Sequence, residues 1–153
     1  MSAERWRRLL PGLWAGLLLC VALLATPSAF ASLLPSDAGR TVARMLAQEA
    51  YTSLAMGVVV LVLERGAARR SGGAQFSLGM GLALLTLFCT VAGYFAVQPM
   101  MAAARAGQGA LSFGQLHAVS SAFYLVKVSA VLALAWRASA YAGSPTAGSE
   151  SAY

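Results

Sequence analysis

Five residues carry what chemistry this sequence offers: Glu49, His117, Ser120, Tyr124 and Lys127. A carboxylate, an imidazole and an amine are the ingredients of proton transfer or of ion handling. Spacing groups them. His117, Ser120, Ser121, Tyr124 and Lys127 recur every three or four residues, which on a helix turning about 100° per residue puts them on one face. Glu49, Thr52, Ser53 and Met56 share a face of a second helix by the same rule. No H-E-x-x-H, G-x-S-x-G or phosphate-binding loop occurs. No catalytic residue is assigned, and the chain is not expected to be an enzyme.

His117 is the only histidine. It is open to reading as a metal or haem ligand, as a proton carrier, or as a helix-end histidine bonded to Ser120, Ser121 or a neighbouring helix. A metal site needs several ligands, and Cys20, Cys89, Met45, Met56, Met80 and Met100 have no diagnostic spacing with His117. No metal or cofactor is expected. The methionines fit packing. The two cysteines, both inside apolar runs, fit the role of small buried hydrophobes.

The elements that hold these residues follow from composition. Hydrophobic residues make up 59% of the 153 and charged residues 10%, where a water-soluble domain carries about 25% charge. The excess must face lipid. Four apolar stretches, at about 9–34, 43–63, 76–97 and 113–136, each supply the roughly 20 residues a helix needs to cross a hydrocarbon core of about 30 Å. An isolated strand there would leave its backbone unpaired, so the expected fold is all-α: an integral membrane four-helix bundle within residues 1–137.

Breaks between the spans are read from local signals. Ser36 or Asp37 is placed to cap the second helix, which runs from about Gly39 to Leu63. Glu64-Arg65-Gly66 through Ser71-Gly72-Gly73 reads as a basic turn, Pro99 as the close of the third span, and Gly107-Gln108-Gly109 as the loop before the fourth. Residues 138–153, rich in Gly, Ser and Ala, read as a disordered cytoplasmic tail. No internal repeat stands out.

The net charge of +6 comes from 11 Lys and Arg against 5 Asp and Glu. The basic residues sit at the ends of apolar segments without a basic, aromatic-interleaved face, so nucleic acid is not an expected partner. Arg5, Arg7, Arg8, Arg65, Arg69, Arg70 and Arg137 lie on one side of the membrane, and Arg40, Arg44 and Arg105 on the other. The positive-inside rule places both termini in the cytoplasm, and the expected location is a bacterial inner membrane, crossed several times. Arg5-Trp6-Arg7-Arg8 followed by Ser28-Ala29-Phe30-Ala31 also fits a secretory signal cleaved after Ala31. That would leave three spans. Against it, the apolar stretch exceeds the 7–15 residues or so of a signal core and resumes past the cleavage point.

Within the spans, small and weakly polar faces are the surfaces membrane helices turn toward one another. Gly12 and Gly16 in the first span, and Gly79, Thr86, Cys89, Thr90 and Gly93 in the third, are expected to point inward. Lys127 is the costly residue. It lies ten residues from Arg137, about 15 Å into the membrane, where a charge costs on the order of 2.5–3.5 kcal/mol. Glu49 lies about 22 Å from the same side, within reach of a lysine side chain along the helix. A Glu49–Lys127 pair, a snorkelling lysine and a neutral lysine are the three readings.

A resemblance adds to this. Gly16, Pro27 and Phe30, then Ala38-Gly39 and Tyr51, then Pro99 and Arg105, and above all Phe113-x-x-Leu116-His117-x-x-Ser120 make the chain resemble a bacterial family of unknown function related to eukaryotic transmembrane protein 205. The resemblance implies a compact four-helix membrane protein with an uncleaved first span, and no established activity. A more distant likeness to copper-resistance D type bundles implies a metal role, for which this chain lacks the several histidines. Lys127 lies outside the family motif.

Three functions are open on this footing. The first is a structural or accessory membrane component, acting through helix–helix contacts with a second copy or a membrane partner. The second is a small transporter with Glu49, His117 and Lys127 in a polar interior, although transporters commonly carry more spans and internal repeats. The third is metal or haem binding at His117. The first asks least of the sequence.

Overall fold

The computed structural model describes residues 3–70, 72 and 76–140. Six α-helices form four rods: α1 (Ala3–Cys20) and α2 (Thr26–Ser32), α3 (Pro35–Arg70), α4 (Leu78–Thr90) and α5 (Val97–Arg105), and α6 (Phe113–Ala140). The first rod, Ala3–Ser32, and the third, Leu78–Arg105, are each a pair of α-helices fused through a π-helical turn, at Val21–Ala25 and Val91–Ala96. All four rods are long and apolar enough to cross a membrane. No strand occurs among the described residues.

Three expected breaks are corrected. Pro99 does not close the third span; the helix continues to Arg105. Proline lacks a donor and crowds the carbonyl four residues back. For Pro99 that residue is Phe95, and for Pro27 it is Leu23, both inside the π-turns. The wider turn accommodates the ring without ending the rod. Glu64–Arg70 is helix, not turn: one glycine costs about 1 kcal/mol, and Ala67, Ala68 and the arginines carry the helix past Gly66. At its other end α3 starts at Pro35, whose fixed φ suits a first helical position, so Ser36 and Asp37 lie inside the first turn and Asp37 pairs with Arg40 at 2.6 Å instead of capping. The tail expected from residue 138 is helical through Ala140, and its remainder lies outside the described residues.

The rods close into a bundle in which α1 packs on α3 and α6, and α4 packs on the same two. Its core is Trp14, Ala15, Leu18, Val60, Ala83, Val131 and Leu134, with a smaller cluster of Val97, Met101 and Leu116 at the other end. Large apolar residues cover the outside: Leu13, Leu23, Leu24, Val62, Phe88 and Leu125 are all exposed. Glu49, Ser53, Thr86, Thr90 and Lys127 are buried. Grease outside and polar groups within is the distribution lipid requires and water forbids.

Local signals start the second hairpin. The Ser77 hydroxyl accepts from the Met80 N–H at the head of α4. Ahead of α6, the Ser112 hydroxyl accepts from the Gln115 N–H while the Gln115 side chain accepts from the Ser112 N–H, a reciprocal capping box. Gly107 and Gly109 supply the left-handed backbone of the preceding loop, at φ 73° and 100°.

A buried polar ring between three helices

Lys127 on α6 donates to both carboxylate oxygens of Glu49 on α3, at 2.8 and 2.9 Å. Both side chains are 3% exposed. Ser53, one turn along α3, donates to Glu49 Oε1, and the Trp14 indole N–H on α1 donates to the Ser53 hydroxyl at 2.9 Å. On the other flank, Lys127 Nζ sits 4.7 Å from the centre of the Tyr124 ring. The Tyr124 hydroxyl in turn donates to the Leu18 carbonyl of α1 at 2.9 Å. The contacts form a closed circuit: α1 to α3, α3 to α6, and α6 back to α1.

The chemistry of the circuit is neutralisation. A bidentate charge-assisted pair answers both desolvated charges, and Ser53 takes up further acceptor capacity on the carboxylate. No buried side-chain nitrogen or oxygen among the described residues lacks a hydrogen-bond partner. The third rod is satisfied separately: Thr86 and Thr90 return their hydroxyl protons to the carbonyls of Ala83 and Thr86 on their own helix.

Ser120 donates to the Gly93 carbonyl inside the second π-turn at 2.9 Å. Tyr124 reaches the Leu18 carbonyl just ahead of the first. Two hydroxyls of α6 therefore hold backbone at the irregular turns of both π-bearing rods, the kind of compensation a broken hydrogen-bond ladder needs in lipid. At Gly93 the approach is close enough that a Cβ would lie 2.6 Å from Phe123 Cβ.

The expected polar site is thus brought together only in part. Glu49, Tyr124 and Lys127 meet; Ser120 serves the π-turn. His117 stands apart. It is exposed at the start of α6, ten residues from Lys127 and so about 15 Å along the helix. Its ring stacks on Phe113, with centroids 5.9 Å apart and planes 15° from parallel, and Arg105 lies over the same phenyl ring at 4.5 Å. At that depth Leu116, one residue earlier, takes the buried position against Val97 and Met101, and ten residues at about 100° each set His117 about 80° around the axis from Lys127. Among the described residues no three His, Cys, Asp or Glu side chains gather in a way that would hold a metal ion.

Two further expectations fail. Gly12 and Gly16 face outward, with nothing within 4 Å of where a Cβ would stand. Cys20, one turn further, is also exposed, and only Cys89 is buried. The inward face of α1 belongs instead to Pro11, Trp14, Ala15 and Leu18. Trp14 and Ser53 went unassigned as partners; a tryptophan in a span reads as an interfacial anchor until its depth is known.

Fold and interior together define a transmembrane four-helix protein with an ion-paired core. The chain belongs to the family described as a domain of unknown function, DUF4149, whose model matches residues 9–110. That stretch includes Trp14, Glu49 and Ser53 and stops short of Tyr124 and Lys127. No curated protein and no solved structure matches the chain.

Proposed function

We propose that this protein is a structural or accessory component of a membrane, acting through helix–helix contacts and without catalytic activity. The observation that carries the reading is the outward ridge Gly12, Gly16 and Cys20 on α1, open at each glycine. Small residues four apart let a second membrane helix approach closely. The interior supports the same reading from the other direction, since Glu49 and Lys127 spend their charges on each other. A transport path would need those groups to face water or cargo, and His117 lies too far away to join them.

The reading includes a bacterial inner-membrane location with both termini cytoplasmic, supported by the asymmetry of the arginines. It keeps the first span, because removal after Ala31 would take Trp14 and Leu18 out of the core. Kinship with the proteins related to transmembrane protein 205 rests above all on Leu116-His117-x-x-Ser120, which lies beyond the matched residues.

The test uses the cysteines already present. Mild oxidation of native membranes is expected to give a disulfide adduct through Cys20, with a second copy or a partner, while buried Cys89 stays reduced. Gly16→Leu should abolish the adduct and leave the monomer folded, since that side is open. No Cys20 adduct in native membranes, or one indifferent to Gly16→Leu, defeats the reading.

A further inference from the structure

Between α4 and α6, at the end of the bundle where Arg7 and Glu64 meet, an open groove of about 750 Å³ runs into the membrane-facing surface. Its walls are Leu78 and Leu82 on one side and Leu132 and Ala133 on the other, with Trp136 and Arg137 at its mouth. Leu82 is four residues from Leu78, and Leu132 five from Arg137, so the apolar walls continue about 6–8 Å inward from the charged end.

The mouth holds an uncompensated positive charge. Arg7, Arg8 and Arg137 line one small recess there together with Glu64. Glu4 pairs with Arg7 and Arg8, and Glu64 pairs with Arg7. Three guanidinium groups thus face two carboxylates, and the one without an ion pair or hydrogen bond among the described residues is Arg137, which also lines the groove. Trp136 beside it is 79% exposed, as suits a ring at the headgroup level. A cation at the mouth and greasy walls below match one class of molecule in a bilayer.

We propose that this groove binds an anionic phospholipid, its phosphate on Arg137 and the first part of an acyl chain between Leu78, Leu82, Leu132 and Ala133. Basic recesses between membrane helices are where anionic headgroups are recognised. A zwitterionic lipid brings its own cation to a mouth that already has a surplus one. The site is independent of the helix contact at Gly12 and Gly16, which lies on another rod.

Trp136 reports on the groove directly. The Trp6→Phe protein, with Trp14 fully buried, is placed in phosphatidylcholine vesicles containing a minor fraction of phosphatidylglycerol, and either lipid carries brominated acyl chains. Brominated phosphatidylglycerol is expected to quench Trp136 as though enriched about fivefold over its bulk fraction, the effect of one basic residue near an anionic lipid. Arg137→Gln should remove the enrichment and Arg137→Lys keep most of it. Without any variant, unbrominated phosphatidylglycerol should relieve the quenching and unbrominated phosphatidylcholine should not. Equal quenching by the two headgroups, an enrichment that survives Arg137→Gln, no relief by competing phosphatidylglycerol, or stronger relief by a free fatty acid would each overturn the assignment.

Discussion

A lysine and a glutamate sealed in a membrane bundle are tolerable only as a pair. Each alone costs on the order of 2.5–3.5 kcal/mol to insert, and the bidentate contact at 2.8 and 2.9 Å with Ser53 behind it leaves neither charge unanswered. Lys127→Met strands the carboxylate, and a loss of about 3–5 kcal/mol is expected on breaking one side of a buried pair. Glu49→Gln strands the ammonium and should cost a similar amount. The double variant should recover much of either loss, measured by unfolding in mixed detergent micelles; simple additivity of the two losses would show that the pair is not coupled. The pair was legible because two depths, about 15 and 22 Å, could be counted along rigid helices of known rise. Trp14 to Ser53 was not, because no rule sets the register of α1 against α3 before the bundle is assembled. His117 shows a different failure: a face drawn from spacings of three and four drifts around the axis, so His117 lies about 80° from Lys127 and Leu116 takes the buried position at that depth.

The helices themselves were foreseeable from hydropathy, since lipid permits little else; their interruptions were not. A proline and a glycine are breakers in water, but Pro99 sits beside a π-turn and Gly66 beside strong helix formers, and both rods run on. A hydroxyl from α6 reaches backbone inside one π-turn, at Gly93, and just ahead of the other, at Leu18, contacts invisible until α6 is docked. Tyr124→Phe removes the bond to the Leu18 carbonyl and is expected to cost about 0.5–1.5 kcal/mol, read in the same unfolding assay; no change would mean that the carbonyl is satisfied without it. Glycine position separates packing from openness more sharply. At Gly93 a Cβ would meet Phe123 Cβ, which is fixed to its backbone and cannot swing aside, so Gly93→Val should destabilise by about 1–3 kcal/mol through overpacking. At Gly12 nothing lies within 4 Å. Gly12→Val should leave the isolated protein's unfolding unchanged within about 0.5 kcal/mol. Equal effects at the two glycines would contradict the packing of α5 and its π-turn on α6.

At the scale of the whole molecule, the charges and one contact together predict which way the bundle faces. Arg7 at the head of α1 bonds Glu64 near the end of α3 at 3.1 Å, so those two ends share a side whatever the orientation. The recess that brings Arg7, Arg8 and Arg137 together adds the end of α6 to that side. Arg5, Arg65, Arg69 and Arg70 belong to the same end, which therefore holds seven arginines, against Arg40, Arg44 and Arg105 at the other. Such a bias sets orientation when it flanks the spans within about 15–20 residues, as all of these do. A fluorescent protein joined after Ala140 should therefore glow, as it does only when it folds in the cytoplasm. Alkaline phosphatase inserted at Gly107–Gly109 should be active, as it is only on the far side. The reverse result at both sites would invert the bundle without disturbing its core. A dark fusion after Ala140 together with active phosphatase at Gly107–Gly109 would be more damaging, because it would put the start and the end of α6 on one side of the membrane. A 28-residue helix spans about 42 Å, and no packing of α1 and α4 against it would survive its lying flat.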